Sequence, residues 1–296
     1  MEQKISLLLI VVMMFLSCGQ KSSRSDKTLL IRCDDIGMCH AVNMAAEKLI
    51  ARNIPFSASV MVCCPWFDEA VEILKEASGV SVGVHLTLNS EWKNYKWGPV
   101  LGMAEVPGLV DEKGYFFPSR KSFFDNNPKT REVEKELEAQ IQRALNSGLK
   151  IDYLDYHMGT AVSTPELKKI VEKLADKYEL GISRWFGEVD LPGVYSVELS
   201  EKLDSLVTQL SEMESGKVNL LVCHIGETTP EMNAMEDMNS FGLENMSRHR
   251  KAEADALIAQ KFMSAIDNNN IKLITYRDII KEKRLKDMVP PEEYAY

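Results

Sequence analysis

Seven short apolar runs alternate with stretches of helical periodicity, and this alternation constrains the chain more than any other feature of its sequence. The runs at 28–33, 57–63, 80–88, 150–156, 180–185, 218–223 and 271–275 read as strands. The segments 40–52, 66–77, 130–147, 164–178, 198–214 and 248–268 read as helices. In 130–147, Val133, Leu137, Ile141 and Leu145 recur at i, i+4 spacing, and Gly148 marks the stop. Strands that alternate with helices build a parallel sheet, and about seven such units favour closure towards a barrel. The expected fold is therefore α/β, a distorted, TIM-barrel-like (β/α) barrel, in a single domain over 28–284. Region 89–129 breaks the rhythm, and "PGLVDEKGYFFP" within it predicts an inserted hairpin or lid. Residues 285–296 read as a tail.

In a barrel of this kind, chemistry gathers at the C-terminal ends of the strands. The notable polar residues fall there: Asp34 and Asp35 close the first run and His85 lies late in the third. His157 follows the fourth, Arg184 ends the fifth and His224 ends the sixth. Taken singly, each has a plain structural role. The aspartates can cap the following helix, His85 can be a satisfied core histidine, His157 a loop residue, and Arg184 a partner of Glu188. His224 can bond a neighbouring carbonyl. Taken jointly they share one rim, and two imidazoles with a carboxylate are a ligand set for a catalytic divalent cation. Adjacent aspartates repel unless a positive charge separates them. A cation held by one would let its neighbour stay ionised as a base.

The first residues are read apart from the fold. Lys4 precedes an apolar stretch from Ile5 to Leu16, which is too short to span a bilayer as a helix and has the charge order of a secretory signal. Ser17 before Cys18 resembles the lipobox of bacterial lipoproteins. The expectation is a signal peptide over 1–17, a lipid on Cys18 and a tether over 18–27. That implies anchoring to a membrane in the bacterial periplasm or at the outer membrane. The net charge of −9, with no dense lysine/arginine stripe, argues against nucleic acid as a partner. Apart from Cys18 the chain has Cys33, Cys39, Cys63, Cys64 and Cys223, an odd number that a fully paired disulfide framework cannot use. A homo-oligomer stays open.

Several motifs, in order, carry a family resemblance. They are "CDDIGMCHAVN", "VGVHLTLN", "LEAQIQRALNSGLKIDYLDYH", "LVCHIGE" and "IKLITYRDII". Over about 28–280 the chain resembles the YdjC-like carbohydrate deacetylases, the family of the chitooligosaccharide deacetylases. The resemblance implies a distorted (β/α) barrel that removes N-acetyl groups from amino-sugar glycans. It assigns one divalent ion, magnesium or zinc-like, to Asp35, His85 and His157. Asp34 becomes the general base, with Arg184 and His224 linked to orienting that base and to protonation or substrate contacts. Of the two, His224 is the better donor to the leaving amine. Trp92, Tyr95 and Trp97 follow the His85 strand, where they can stack on sugar rings or pack on the rim. The chain departs from the family where "MGTAV" follows His157 in place of further histidines, at Ile225 where proline is usual, and at Ile36 where phenylalanine follows the aspartates. Other amide or ester hydrolysis on this scaffold, and glycan binding without catalysis, are the rival readings.

Overall fold

The structure, a computed structural model, describes residues 27–291. The expected signal segment, Cys18 and nearly all of the tether lie outside the described residues. The first half of the chain runs β1 (Thr28–Ile36), α1 (His40–Ala51), β2 (Phe56–Val60), α2 (Phe67–Lys75), β3 (Val80–Leu86), α3 (Arg120–Asp125), α4 (Thr130–Asn146), β4 (Ile151–Tyr156) and α5 (Pro165–Tyr178). The second half runs β5 (Gly181–Ile182), β6 (Val189–Asp190), α6 (Lys202–Glu212), β7 (Val218–Cys223), α7 (Pro230–Asn233), α8 (Met246–Ile258), α9 (Gln260–Asn268), β8 (Lys272–Ile274) and α10 (Tyr276–Lys283).

All the strands pair in parallel in the order β5-β4-β3-β2-β1-β7-β6, with β8 against the start of β1. Among the described residues no ladder joins β5 to β6, so the expected barrel is present and open at that seam. The period-2 alternation of β1 sorts its side chains. Leu29, Ile31 and Cys33 join the large core beneath the helices. Leu30 faces inward, into a separate plug with Tyr153, Leu220, Ile274 and, from α10, Tyr276 and Ile279. The plug fills the lower half of the barrel. Gly83 makes room for it, because a Cβ there would fall 2.4 Å from the Tyr153 ring. Above the plug the same inward parity continues into polar residues: Arg32 and Asp34 follow Leu30, Asp155 follows Tyr153, and His85 follows Gly83.

The sequence reading differs from the structure in several elements, among them the strand read over 180–185, which is only Gly181–Ile182. Leu145 is 37% exposed and Ala144 is buried in its stead. An i, i+4 row drifts about 40° per step around a helix of 3.6 residues per turn, so after three steps it leaves the buried face. The segment 248–268 is two helices, broken at the extended Ala259. Two-residue β6 has too little pattern to read, and it extends the sheet beyond β7.

The insertion over 89–129 is packed rather than loose. Trp92, Trp97, Val106, Leu109, Phe116 and Phe123 are all buried in the main core. Its irregular backbone is met by two carboxylates of α4. Glu136 accepts from the Val100 and Leu101 N–H groups, and Glu132 accepts from Gly108. The start of the expected tail also docks, with the Val289 N–H donating to the Trp185 carbonyl.

Candidate metal centre

A regular strand would send Asp34 and Asp35 to opposite faces. The ladder between β1 and β2 slips between Cys33 and Ile36, and Asp35 takes a left-handed φ of 64°. Both carboxylates thereby reach the same cleft at the top of the barrel. This backbone is unusual for a non-glycine residue, though least so for Asp and Asn.

Asp35, from the end of β1, meets His85 from β3 and His157 from just beyond β4. The Asp35 Oδ1 lies 3.4 Å from His85 Nε2 and 3.2 Å from His157 Nδ1, and those nitrogens are 3.3 Å apart. Metal–ligand bonds of 2.0–2.1 Å set neighbouring tetrahedral ligands roughly 3.3 Å apart. Oδ1 is buried and has no well-formed hydrogen bond among the described residues. This triangle of one carboxylate oxygen and two ring nitrogens, with an orphaned acceptor at one corner, can hold a divalent cation.

The surrounding residues aim the ligands. Asp155 Oδ2 lies 2.8 Å from His85 Nδ1, and Glu91 Oε2 lies 2.9 Å from His157 Nε2. A carboxylate behind an imidazole fixes its tautomer and leaves the other nitrogen's lone pair for a cation. Asp35 Oδ2 takes the Nη2 of Arg250 at 2.6 Å. Burial alone would raise the Asp35 carboxyl, but Arg250 and the two imidazoles outweigh it and hold it well below the usual range. Burial likewise works against a charged His85, yet Asp155, Asp34 and Asp35 push it up to about 9. His157 is raised in the same way, against burial, mainly by Glu91 and Asp35. These imidazoles bind protons strongly when no cation is present.

Asp34 sits beside the triangle. Arg32 grips both its oxygens, and Arg32 Nη1 lies 3.0 Å from Asp155 Oδ1 and 2.6 Å from Ser183 Oγ. The cleft, of about 210 Å³, is lined by Asp34, Asp35, His85 and His157 together with His224, Tyr195, Glu91, Trp92, Met158, Asp237, Phe241 and Arg250. The His224 and Tyr195 rings meet edge to face, 5.3 Å apart.

The profile of the YdjC-like protein family matches residues 28–268. The chain belongs to the YdjC-like family. Among curated relatives, this YdjC-like protein is 28% identical over 271 residues to a carbohydrate deacetylase of Enterococcus faecalis, an alignment covering 86% of this chain and 99% of that one. It is 37% identical over 157 residues to a carbohydrate deacetylase of Thermus thermophilus, covering 52% of each chain. Among solved structures, one from Enterococcus faecalis, named for cellobiose-phosphate cleavage, superposes with a TM-score of 0.72 at 25% identity, covering 86% of this chain and 99% of that one.

Not every residue singled out from the sequence of this YdjC-like protein reaches the cleft. Arg184 does not orient Asp34. Strand β5 stops at Ile182, Arg184 turns at a φ of 72°, and its guanidinium pairs with Asp190 at 2.8 Å. Arg32 already occupies both oxygens of Asp34. Tyr95 and Trp97 are also not on the cleft wall. The Tyr95 hydroxyl donates to the Met38 carbonyl at 2.6 Å. Trp97 is 3% exposed, donates from Nε1 to the Asn89 carbonyl, and lies edge-on to the His157 ring at 6.1 Å. It is a buttress for a ligand rather than a sugar platform. Of the three aromatics only Trp92 lines the cleft.

Sequence reasoning missed Arg32, Asp155, Glu91, Arg250, Tyr195 and Phe241. The first two carried a readable signal, since Arg32 stands two residues before Asp34 on the same strand and so shares its face, and Asp155 stands two before His157, at the end of the strand that leads into it. The others come from irregular loops and from α8, where no local pattern marks them.

Proposed function

We propose that this YdjC-like protein is a metal-dependent hydrolase that removes N-acetyl groups from amino-sugar oligosaccharides or polysaccharides. The observation that carries the reading is the Asp35–His85–His157 triangle with the arginine-clamped carboxylate of Asp34 beside it, inside one small cleft. The names of the Enterococcus and Thermus relatives support the same reading.

Asp35, His85 and His157 would hold the ion, and a divalent ion supplies Lewis-acid polarisation of an acyl carbonyl and of a water. The remaining work falls to the chain. Asp34 takes the proton of the attacking water, and Arg32 keeps that carboxylate aimed. Asp155 and Glu91 hold the imidazoles in register. His224 gives a proton to the leaving nitrogen as the C–N bond breaks, so that a neutral amine and acetic acid depart, the acid then losing its proton to water. Phe241, 63% exposed on the cleft wall, offers apolar surface for a sugar ring, while Trp92 is buried behind that wall.

The test is acetate release over a panel of N-acetylated and O-acetylated glycans, with the protein loaded in turn with zinc and magnesium. Release from N-acetylated sugars is the expected result. Release from O-acetylated glycans alone would make the protein an esterase, and bound metal without any turnover would make it a glycan-binding protein.

We also propose that Cys18 carries a lipid that anchors the protein to a membrane. The support is Lys4 ahead of the apolar Ile5–Leu16 stretch and Ser17 before the cysteine.

A further inference from the structure

His224, the proton donor of the proposed chemistry, is held differently from the two histidines of the triangle. His85 and His157 each have a carboxylate behind the ring. Among the described residues His224 is instead held through its backbone N–H, which donates to Glu253 Oε2 at 2.8 Å, and by the Tyr195 ring, which meets the imidazole edge to face. His224 and Tyr195 both line the cleft; Glu253 does not.

Glu253, on α8, is 1% exposed, and so is Lys202 at the start of α6. The two charges face each other, with Lys202 Nζ 3.3 Å from Glu253 Oε1. The same ammonium donates to the Val194 carbonyl and, at 2.9 Å, to the Tyr195 carbonyl. An ammonium has three N–H groups, and these three acceptors use all of them. One oxygen of Glu253 therefore meets Lys202 and the other meets the His224 N–H. The pair ties the end of β7, which carries His224, to the loop after β6, which carries Tyr195. About two turns along α6, Gln209 clasps the same loop. Its Oε1 accepts from the Gly193 N–H, and its Nε2 donates to the Gly193 carbonyl.

Stability is a poor explanation for the pair. Taking two charges out of water is costly, and apolar residues of similar volume often serve a fold as well or better. What the pair supplies is geometry. Its hydrogen bonds run to the backbone of the two residues that form one wall of the cleft, so the charges are linked to where His224 and Tyr195 sit.

We propose that Lys202 and Glu253 are positioning residues for the proton transfer. Glu253 sets the backbone of His224, Lys202 sets the loop that brings Tyr195 against its ring, and together they present the imidazole to the leaving nitrogen. The role of His224 rests on the deacetylase reading; the restraint itself rests on the hydrogen bonds of the buried pair.

The test is a mutant cycle on metal-loaded protein, read by acetate release from an N-acetylglucosamine oligosaccharide. Lys202→Met with Glu253→Leu removes both charges together and nearly keeps the volume, so the melting temperature should stay at or above that of the parent. The kcat should nevertheless fall about tenfold or more, with KM within about twofold, because the donor is present and misplaced. In the His224→Ala protein the same two substitutions should change kcat by less than about twofold, since groups that act through one residue are not additive. A kcat equal to the parent's overturns the inference. So does an equal loss in both backgrounds, which would mark a general effect on the cleft, or a His224→Ala protein as active as the parent. If the double variant does not fold, Glu253→Gln, which keeps the shape and turns an N–H₂ group towards one of the two donors, takes its place in the cycle. A crystal structure of the variant reads the restraint without any substrate: His224 and Tyr195 should be displaced, and unchanged side chains overturn the inference. If the parent releases no acetate while that displacement is seen, the deacetylase reading fails and the restraint stands.

Discussion

Arg32 holds both oxygens of Asp34, Nε on Oδ1 at 2.7 Å and Nη2 on Oδ2 at 2.8 Å, from two positions earlier on the same strand. Two parallel charge-assisted bonds fix the plane of the carboxylate and aim it towards the cleft, as a positioned proton acceptor requires. Asp34→Asn should lower kcat roughly 10²–10⁴-fold, the usual contribution of a positioned base. Metal content should stay unchanged, because Asp34 is not one of the three ligands. Full activity in Asp34→Asn would remove it from the chemistry.

The same geometry separates two arginines that look alike in the sequence. Arg32→Lys loses the fork and should reduce kcat strongly while KM moves little. Arg184→Ala breaks a pair with Asp190 away from the cleft wall and should leave kcat near the wild-type value. Steady-state kinetics of the two variants side by side decides between them. A larger loss in Arg184→Ala would restore Arg184 as the group that orients the base.

Glu91 reaches the His157 ring from the far side, 2.9 Å from Nε2. Carboxylates in this position typically change metal affinity about 10–100-fold when removed. Glu91→Gln is therefore expected to weaken metal binding by that factor, read by competition with a chromophoric chelator. Unchanged affinity would show that Glu91 does not set the orientation of His157.

The cation and protons compete for the imidazoles. Without metal, His85 is raised from 6.5 to about 9, so its protonated form stabilises the fold. That contribution is full below pH 6.5 and is lost as pH rises through about 9, on the order of 3 kcal/mol by linkage. A bound metal requires the neutral ring, so its affinity changes in the opposite sense and rises across the same window. Thermal melts from pH 6.5 to 9 should show the chelated protein losing stability while the increment added by metal grows. A metal increment that stays flat across that range would contradict the proton competition.

The anchor has its own test. Cys18→Ala should move the protein from the membrane fraction to the soluble fraction of cells that express it. Unchanged membrane association would reject lipidation at Cys18.

The barrel was legible because buried strands and amphipathic helices each leave a period in the chain, and long elements such as α4 and α5 leave it most clearly. The three candidate ligands were legible for a related reason: Asp35, His85 and His157 sit at strand ends, where parallel strands bring distant residues to one rim. The groups that aim them were not. Glu91 and Arg250 reach the site from a packed insertion and from α8, over sequence distances that no local pattern records. Arg184 misled because a strand end was assumed where β5 stops two residues earlier and the chain turns away. The slip in β1 that turns both aspartates inward is likewise a backbone event, visible only once β2 is laid beside it.

The central claim is that one cation, held by Asp35, His85 and His157, makes this cleft a deacetylase. The most direct measurement strips the protein with a chelator, adds back a divalent metal in fractional steps, and follows acetate release from an N-acetylglucosamine oligosaccharide beside metal content. The account predicts no release from the stripped protein and a linear recovery that saturates at a single equivalent per chain, with no recovery in His85→Ala. Full release from metal-free protein, or recovery in His85→Ala equal to wild type, would contradict it.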